Sequence, residues 1–257
     1  MPKFCANLNF LFQEVPFLDR FAAAAKAGFK GVEIINPYEA SAADLAARAR
    51  DAGIAVVLMN IPFGREGERG LTSIAGREAE FEEGFAKALS YAEATGCRQI
   101  HAMAGLVHQG ARRATYVANL KKAARLAAKD GVSVIIEPIN QRDIPGFFLS
   151  KTHVARGVIH EVAEPNLGLQ FDLYHRQIEE GDLAAAIAEF GPLAHHYQIA
   201  NPPDRGEPDV GEINYRSLFP LIEATGFKGW IGCEYRPRRG TVEGLAWTKA
   251  CGVTLGG

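Results

Sequence analysis

The sequence has little of what marks several large classes of protein. Its four cysteines include no C-x-x-C pair, which argues for free thiols rather than a disulfide framework or a zinc site. A formal net charge of −2 leaves no basic stripe for a nucleic acid. No apolar run approaches the roughly 18–20 residues that cross a bilayer, and no secretion signal is seen. These absences predict a soluble, cytoplasmic protein that binds neither nucleic acid nor membrane.

Two further absences concern the organisation of the chain. No Pro/Gly/Ser-rich linker divides it, which predicts one domain over residues 1–257. No G-x-G-x-x-G follows the first apolar run, which disfavours a dinucleotide-binding fold. What is present is an eightfold alternation of short apolar runs with longer Ala-rich segments of helical period. We therefore expect an α/β fold, a single (β/α)8 TIM barrel, for which this length is usual.

The boundaries follow from the same pattern. We expect strands at residues 4–10, 31–35, 55–59, 99–103, 132–137, 167–172, 195–200 and 229–234. Helices are expected at residues 17–27, 42–52, 77–94, 112–128, 151–162, 182–189, 215–224 and 242–249. Glycine follows five of these helices, as a left-handed C-cap requires: Gly28, Gly53, Gly96, Gly131 and Gly226. The polar loops 60–76 and 201–214 follow strands, so they should lie on the catalytic face of the barrel.

Four oxygen-bearing side chains stand at the far ends of successive apolar runs. They are Glu137, Asp172, Gln198 and Glu234, spaced by 35, 26 and 36 residues, about one strand-plus-helix unit each. A lone glutamate at a strand end is often only a salt bridge at the rim of a barrel. Four in sequence order converge on one point if the strands close into a barrel, because the carboxyl ends of parallel strands meet at one face.

This ligand set has a definite chemistry. Three carboxylates and an amide oxygen are hard donors, which favour Mg²⁺, with Mn²⁺ or Co²⁺ as alternatives, over zinc or copper. A divalent cation would reduce the charge of the three carboxylates from −3 to −1. The sequence therefore predicts a divalent metal site at the carboxyl ends of strands five to eight.

Several segments give the chain a family resemblance. They are F-C-A-N-L at residues 4–8, I-E-P-I-N at 136–140, D-I-P-G-F at 143–147, Q-F-D-L-Y-H at 170–175, R-G-E-P at 205–208, G-E-I-N-Y at 211–215 and G-W-I-G-C-E-Y at 229–235. With them the chain resembles the hydroxypyruvate isomerase family of xylose-isomerase-like TIM barrels, almost from end to end. The resemblance implies interconversion of hydroxypyruvate and 2-hydroxy-3-oxopropanoate (tartronate semialdehyde) through an enediolate, in glyoxylate and carbohydrate metabolism.

The resemblance also implies residue roles. Glu137 and Glu234 match the family's paired acid/base glutamates, and all four strand-end residues match its metal ligands. His175, three residues after Asp172, matches a histidine that contacts substrate oxygens, although a histidine bonded to the backbone of a loop is the structural alternative. Arg205 resembles a substrate-contacting arginine, because a guanidinium binds a carboxylate bidentately.

Other candidates are weaker. Arg69, in G-E-R-G, is a second anion-binding candidate, and solvation is the simpler interpretation of either arginine. His101 ends a strand and either lines the pocket or is structural. His195 and His196 are expected to be structural, and only one of them can share a strand face with Gln198.

Alternative functions remain open at this point. M-A-G at residues 103–105 and P-D-R at 203–205 resemble 2-oxo-tetronate isomerases. A ketose 3-epimerase usually has histidine where Gln198 stands. An endonuclease IV-like enzyme needs a histidine-rich zinc centre, which seven histidines mostly away from strand ends disfavour. A different class is a non-catalytic barrel that binds a ligand. A homo-oligomer is compatible with the aromatic segment 145–148, expected to be exposed as a lid or as a seal on a neighbouring subunit.

Overall fold

Eight short strands pair in chain order, each parallel to the next, in a computed structural model that describes residues 3–256. The strands are β1 (Lys3–Asn7), β2 (Gly31–Ile34), β3 (Ala55–Asn60), β4 (Gln99–His101), β5 (Ser133–Ile136), β6 (Leu167–Asp172), β7 (Ala194–Ile199) and β8 (Trp230–Cys233). Strand β1 also pairs with β8, so the sheet closes. The predicted (β/α)8 barrel is confirmed.

Ten α-helices cover the barrel within residues 3–256. They are α1 (Arg20–Lys26), α2 (Ala42–Ala52), α3 (Glu78–Thr95), α4 (Arg113–Ala128), α5 (Thr152–Val162), α6 (Leu173–Glu179), α7 (Leu183–Phe190), α8 (Tyr215–Ala224), α9 (Thr241–Gly244) and α10 (Trp247–Cys251). In this range none of them is long and apolar enough to cross a membrane. The five glycines predicted as C-caps all have positive φ.

Helix α6 is absent from the sequence prediction, which expected a loop after β6. Asp172 ends the strand and also caps the helix, because its Oδ1 accepts hydrogen bonds from the backbone N–H groups of Tyr174 at 2.7 Å and His175 at 3.4 Å. An aspartate at this position satisfies donors that a helix start leaves unpaired. Seven residues are too few to show a clear helical period, so the pattern alone misses the helix.

The interior explains why the strands are apolar throughout. Every residue of β2 and β6 is buried, since one face meets the helices and the other meets the barrel interior. Most of the core lies between helices and barrel wall, and a smaller apolar cluster of Cys5, Val57, Leu58 and Ile135 packs with Trp230 inside the barrel. The predicted exposure of segment 145–148 is wrong for Phe147, whose side chain is 1% exposed.

Hydrogen bonds hold in place the two long loops that were predicted to lie on the catalytic face. In residues 60–76, the hydroxyl groups of Thr72 and Ser73 donate to backbone carbonyls just beyond β4 at 2.7 and 2.8 Å. In residues 201–214, the Asn201 side chain donates to two carbonyls of its own loop at 2.9 Å each. Both loops therefore form fixed walls above the strand ends.

The fold predicts that Gly70 tolerates no side chain. Its φ is +105°, and a Cβ there would collide with the backbone of Met103, whereas Gly76, with φ +81°, has nothing within 4 Å. Both Gly→Ala changes impose left-handed strain of about 1–2 kcal/mol. Gly70→Ala should lower the free energy of unfolding by about a further 1–3 kcal/mol, because the backbone must shift. Urea denaturation of the two variants compares them, and equal losses would contradict this packing.

Candidate active site

The four strand-end residues lie together at the carboxyl ends of β5 to β8. Asp172 and Gln198 are in strands β6 and β7, and Glu137 and Glu234 each follow a strand by one residue. None of the four is more than 7% exposed. Three of them, without Asp172, line a cavity of about 210 Å³. The barrel thus brings to one place residues that are up to 97 positions apart (234 − 137).

Two carboxylate oxygens of this group have no hydrogen-bond partner. Glu137 Oε1 and Asp172 Oδ2 are buried and accept no hydrogen bond. An oxygen of Glu137 and an oxygen of Asp172 lie within 4.8 Å of each other, close enough to share a cation. A buried carboxylate is costly unless it is paired, hydrogen-bonded or bound to a metal. The donor set therefore fits a hard divalent cation.

Burial and mutual repulsion raise the pKa of all three carboxyl groups. Burial raises the pKa of Glu137 well above its usual range, and the charges of Glu234 and Asp172 raise it further. The pKa of Asp172 rises to about 6 and that of Glu234 to about 8, in both cases chiefly through burial and against the opposing charge of Arg205. Carboxyl groups of this kind exchange protons near neutral pH.

His175 presents an N–H to this group of carboxylates. The Asn140 Oδ1 accepts from the backbone N–H of Asp143 at 2.7 Å, which identifies its Nδ2 as the atom 2.7 Å from His175 Nδ1. Since Nδ1 therefore accepts, the proton of the neutral ring is on Nε2, which lies 3.5 Å from Asp172 and 3.7 Å from Glu137. Burial, followed by the charge of Arg205, lowers the pKa of His175 well below its ordinary value. A protonated Nε2 donates a hydrogen bond and does not bind a metal.

Arg205 is buried within the site and carries its balancing positive charge. Its Nη2 lies 2.5 Å from Glu234 Oε1 and 3.5 Å from Asp172 Oδ2. The guanidinium packs 4.8 Å from the ring centres of both Phe10 and Tyr174. Burial by itself lowers the pKa of Arg205, but the charges of Glu234 and Asp172 raise it above its ordinary value.

Arg69 also lines this cavity, from the loop 60–76, but unlike Arg205 it is exposed. Its Nη1 donates to the backbone carbonyl of Glu68 at 2.9 Å, and within residues 3–256 no carboxylate pairs with it. The Glu68 carboxylate is instead paired with Arg77 at 2.6 Å. Arg69 is therefore a cation with unused capacity for an anion.

Glu33 of β2 was not predicted as a site residue, although it is an acidic residue in the otherwise apolar run G-V-E-I-I. It lines the cavity and is 1% exposed. The signal was present, since a buried carboxylate in a strand is unusual, but it stands inside the strand and not at its end.

Glu33, Cys5 and His196 form a second group with metal-ligand atoms close together. The Glu33 carboxylate already accepts hydrogen bonds from Asn7 at 2.9 Å, Gln198 at 2.8 Å and His196 Nε2 at 2.6 Å. Burial also raises the pKa of Cys5 well above its ordinary value, which disfavours a thiolate ligand. This group is a hydrogen-bond network and not a metal centre.

The remaining histidines divide between the inside and the outside of the barrel. His196 shares the inner face with Gln198, whereas His195 is partly exposed against Gly168. His101 is buried with its Nδ1 at 3.6 Å from Glu137 Oε2, and burial lowers its pKa to about 3. It is a neutral neighbour of the carboxylates.

Comparisons with known proteins identify the family of this chain. The family described as xylose isomerase-like TIM barrel matches residues 21–251. A 2-oxo-tetronate isomerase from Cupriavidus necator is 49% identical, over 97% of this chain and 98% of the relative. The hydroxypyruvate isomerase of Escherichia coli K12 is 43% identical, over 96% and 98%. A solved structure described as AP endonuclease, family 2, from Brucella melitensis has a TM-score of 0.94 at 45% identity, covering 97% of this chain and 99% of that one. The chain therefore belongs to the xylose isomerase-like TIM barrel family and is an isomerase.

Proposed function

We propose that this isomerase interconverts hydroxypyruvate and 2-hydroxy-3-oxopropanoate through an enediolate. The observation that carries the proposal is the pair of buried carboxyl groups, Glu137 and Glu234, that face one cavity with raised pKa values. One carboxylate removes a proton from C3, and the other carboxyl group delivers a proton to C2. The C3 hydroxyl loses its proton and the C2 oxygen gains one, so the reaction balances without an external oxidant or reductant.

Four residues would hold a divalent cation: Glu137, Asp172, Gln198 and Glu234. The unpartnered oxygens of Glu137 and Asp172 support this assignment, and the hard donors favour Mg²⁺, with Mn²⁺ or Co²⁺ as alternatives. When bound, the cation supplies a positive charge that stabilises the enediolate and orients its two oxygens.

The cationic and N–H groups recognise the substrate. His175 Nε2–H is placed to donate to a substrate oxygen beside Glu137. Arg69 and Arg205 are the two cations on the cavity that suit a carboxylate, the group that separates a hydroxy-oxo-acid from a neutral sugar. This difference favours an oxo-acid over a ketose as the substrate.

A second candidate substrate is 2-oxo-tetronate, which has one more carbon. The observation that favours it is the relative of that name at 49% identity. The reacting 2-oxo-3-hydroxy unit is the same, so the same residues would serve. The endonuclease name of the Brucella structure receives less support, because the metal-binding groups within residues 3–256 include one histidine each.

The direct test offers the purified protein with Mg²⁺ a set of substrates. Hydroxypyruvate should be turned over, which NADH oxidation by an added tartronate semialdehyde reductase reports. A protein preparation of the Glu234→Gln variant controls for contaminating enzymes. Turnover of 2-oxo-tetronate alone would select the second candidate, and turnover of a ketohexose alone would contradict both.

Glu234→Gln should lower kcat by about 10³-fold, because an amide can neither accept nor deliver the proton. The amide is isosteric, so the circular dichroism spectrum should not change. The matched control is Glu212→Gln, which changes an exposed glutamate of the loop 201–214 and should keep kcat within twofold of wild type. A kcat within tenfold of wild type for Glu234→Gln would remove that residue from proton transfer.

The stabilisation of the fold by a bound metal should increase as the pH rises. The folded-state pKa of Asp172 is about 6 and that of Glu234 about 8, above the unfolded values, so the metal-free protein loses stability as the pH rises through this range. A cation binds the deprotonated groups and restores this stability. Mn²⁺ at 100 Kd stabilises by about 2.7 kcal/mol, which raises Tm by several degrees.

Differential scanning fluorimetry with and without Mn²⁺ measures this effect. The rise in Tm should be larger at pH 8.5 than at pH 5.5, and Asp172→Asn should remove most of it. An equal rise at both pH values, or one that survives in the variant, would place the bound cation elsewhere.

A further inference from the structure

Glu33 is a buried carboxylate held by amide, imidazole and thiol groups. Within residues 3–256 no lysine or arginine pairs with it. Its Oε1 accepts from Asn7 Nδ2 and Gln198 Nε2, and its Oε2 accepts from His196 Nε2, with the Cys5 thiol at 3.6 Å. Each of these hydrogen bonds comes from strand β1 or β7, and the carboxylate lies beside Gly232, two residues before Glu234. A carboxylate buried in this way is expensive, which points to a role beyond packing.

Glu33 also fits closely against the backbone of β8. A Cβ on Gly232 would collide with both of its oxygens, so the carboxylate fills the space beside β8. The Asn7 amide is fixed as well, because its Oδ1 accepts from the backbone N–H of Asn9 at 3.0 Å. The acceptor is therefore fixed by groups other than Gln198.

The Gln198 amide is oriented by this fixed acceptor. Its Nε2 donates to Glu33 and to Glu234, and its Oε1 accepts from Gln170 Nε2 at 2.6 Å. Gln170 Oε1 has no partner, so that amide can turn to match either end of Gln198. Glu33 Oε1 is itself held by Asn7 Nδ2 at 2.9 Å, so it is the acceptor of Gln198 Nε2 that the rest of the network fixes in place.

We propose that Glu33 is a positioning residue that holds the Gln198 amide with Nε2 toward Glu33 and Glu234 and leaves Oε1 on the opposite side for a cation. The proposal rests on the proposed function, in which Gln198 is the neutral ligand. Groups that orient metal ligands in this way change metal affinity by about 10- to 100-fold when they are lost.

The test is a double-mutant cycle on Mn²⁺ affinity, measured by titration calorimetry on the full chain. Glu33→Gln is isosteric and gives the network an NH₂ group that can donate to Gln198 Oε1, so the amide can turn over. It should weaken Mn²⁺ binding by about 10-fold or more. In a Gln198→Met background the same change should cost nothing further, because no amide remains to be oriented.

Matched variants separate orientation from general disturbance. Gln170→Met removes the donor at the other end of the amide and should weaken Mn²⁺ binding less than Glu33→Gln does. Gly232→Ala displaces the carboxylate without removing it and should reproduce the loss if Glu33→Gln folds poorly. Additive losses in the cycle, or a larger loss from Gln170→Met, would overturn the proposal.

A readout on the metal-free protein distinguishes this proposal from failure of the proposed function. The side-chain NH₂ protons of Gln198, assigned in ¹⁵N spectra by their loss in Gln198→Met, should exchange slowly with water. Glu33→Gln should speed their exchange about tenfold, and Gln170→Met should not. If wild type binds no Mn²⁺ and turns over no oxo-acid, the proposed function fails while this measurement still decides the role of Glu33. Unchanged exchange in Glu33→Gln would contradict it.

Discussion

The site depends on the burial of several carboxylates at one end of a barrel with one arginine among them. Glu33, Glu137, Asp172 and Glu234 are all less than 10% exposed, and Arg205 is the guanidinium in contact with two of them. Desolvation disfavours each charge, and like charges at short range disfavour the set. Arg205 and the hydrogen-bond donors around these groups reduce the energetic cost of burying them. The same burial raises the pKa values of Asp172 and Glu234 to about 6 and about 8, so these groups can exchange protons near neutral pH.

The barrel interior stabilises its buried carboxylates in different ways at two levels. At the lower level, N–H groups of Asn7, His196 and Gln198 donate hydrogen bonds to Glu33 and hold it in place. At the upper level, Glu137 Oε1 and Asp172 Oδ2 accept nothing, so this level has capacity for a cation and for protons. Gln198 lies at the junction, with Nε2 on the satisfied carboxylate and on Glu234. Under the proposed function, the hydrogen-bonded lower level holds Gln198 in place while the upper level binds a cation and exchanges protons.

The sequence predicted the parts of this structure that depend on repetition. Eight apolar runs with helices between them determine a barrel, and a barrel brings Glu137 and Glu234 together because both follow strands by one residue. It could not predict helix α6, whose start depends on Asp172 as a cap and not on periodicity. Glu33 was missed for a similar reason: its surroundings depend on contacts with other strands, with residues 26 and 165 positions away, which no local pattern contains.

The two arginines of the cavity, Arg69 and Arg205, differ in how far other groups of the protein already share their charge. Sequence resemblance favoured Arg205 as the residue that binds a substrate carboxylate. Its charge is already shared with Glu234, Asp172 and Asp143. Arg69 has no such partner and lies on the cavity wall. Under the proposed function, both arginines face the substrate carboxylate. Arg69 brings a charge that no carboxylate within residues 3–256 shares, whereas the charge of Arg205 also balances the buried carboxylates beside it.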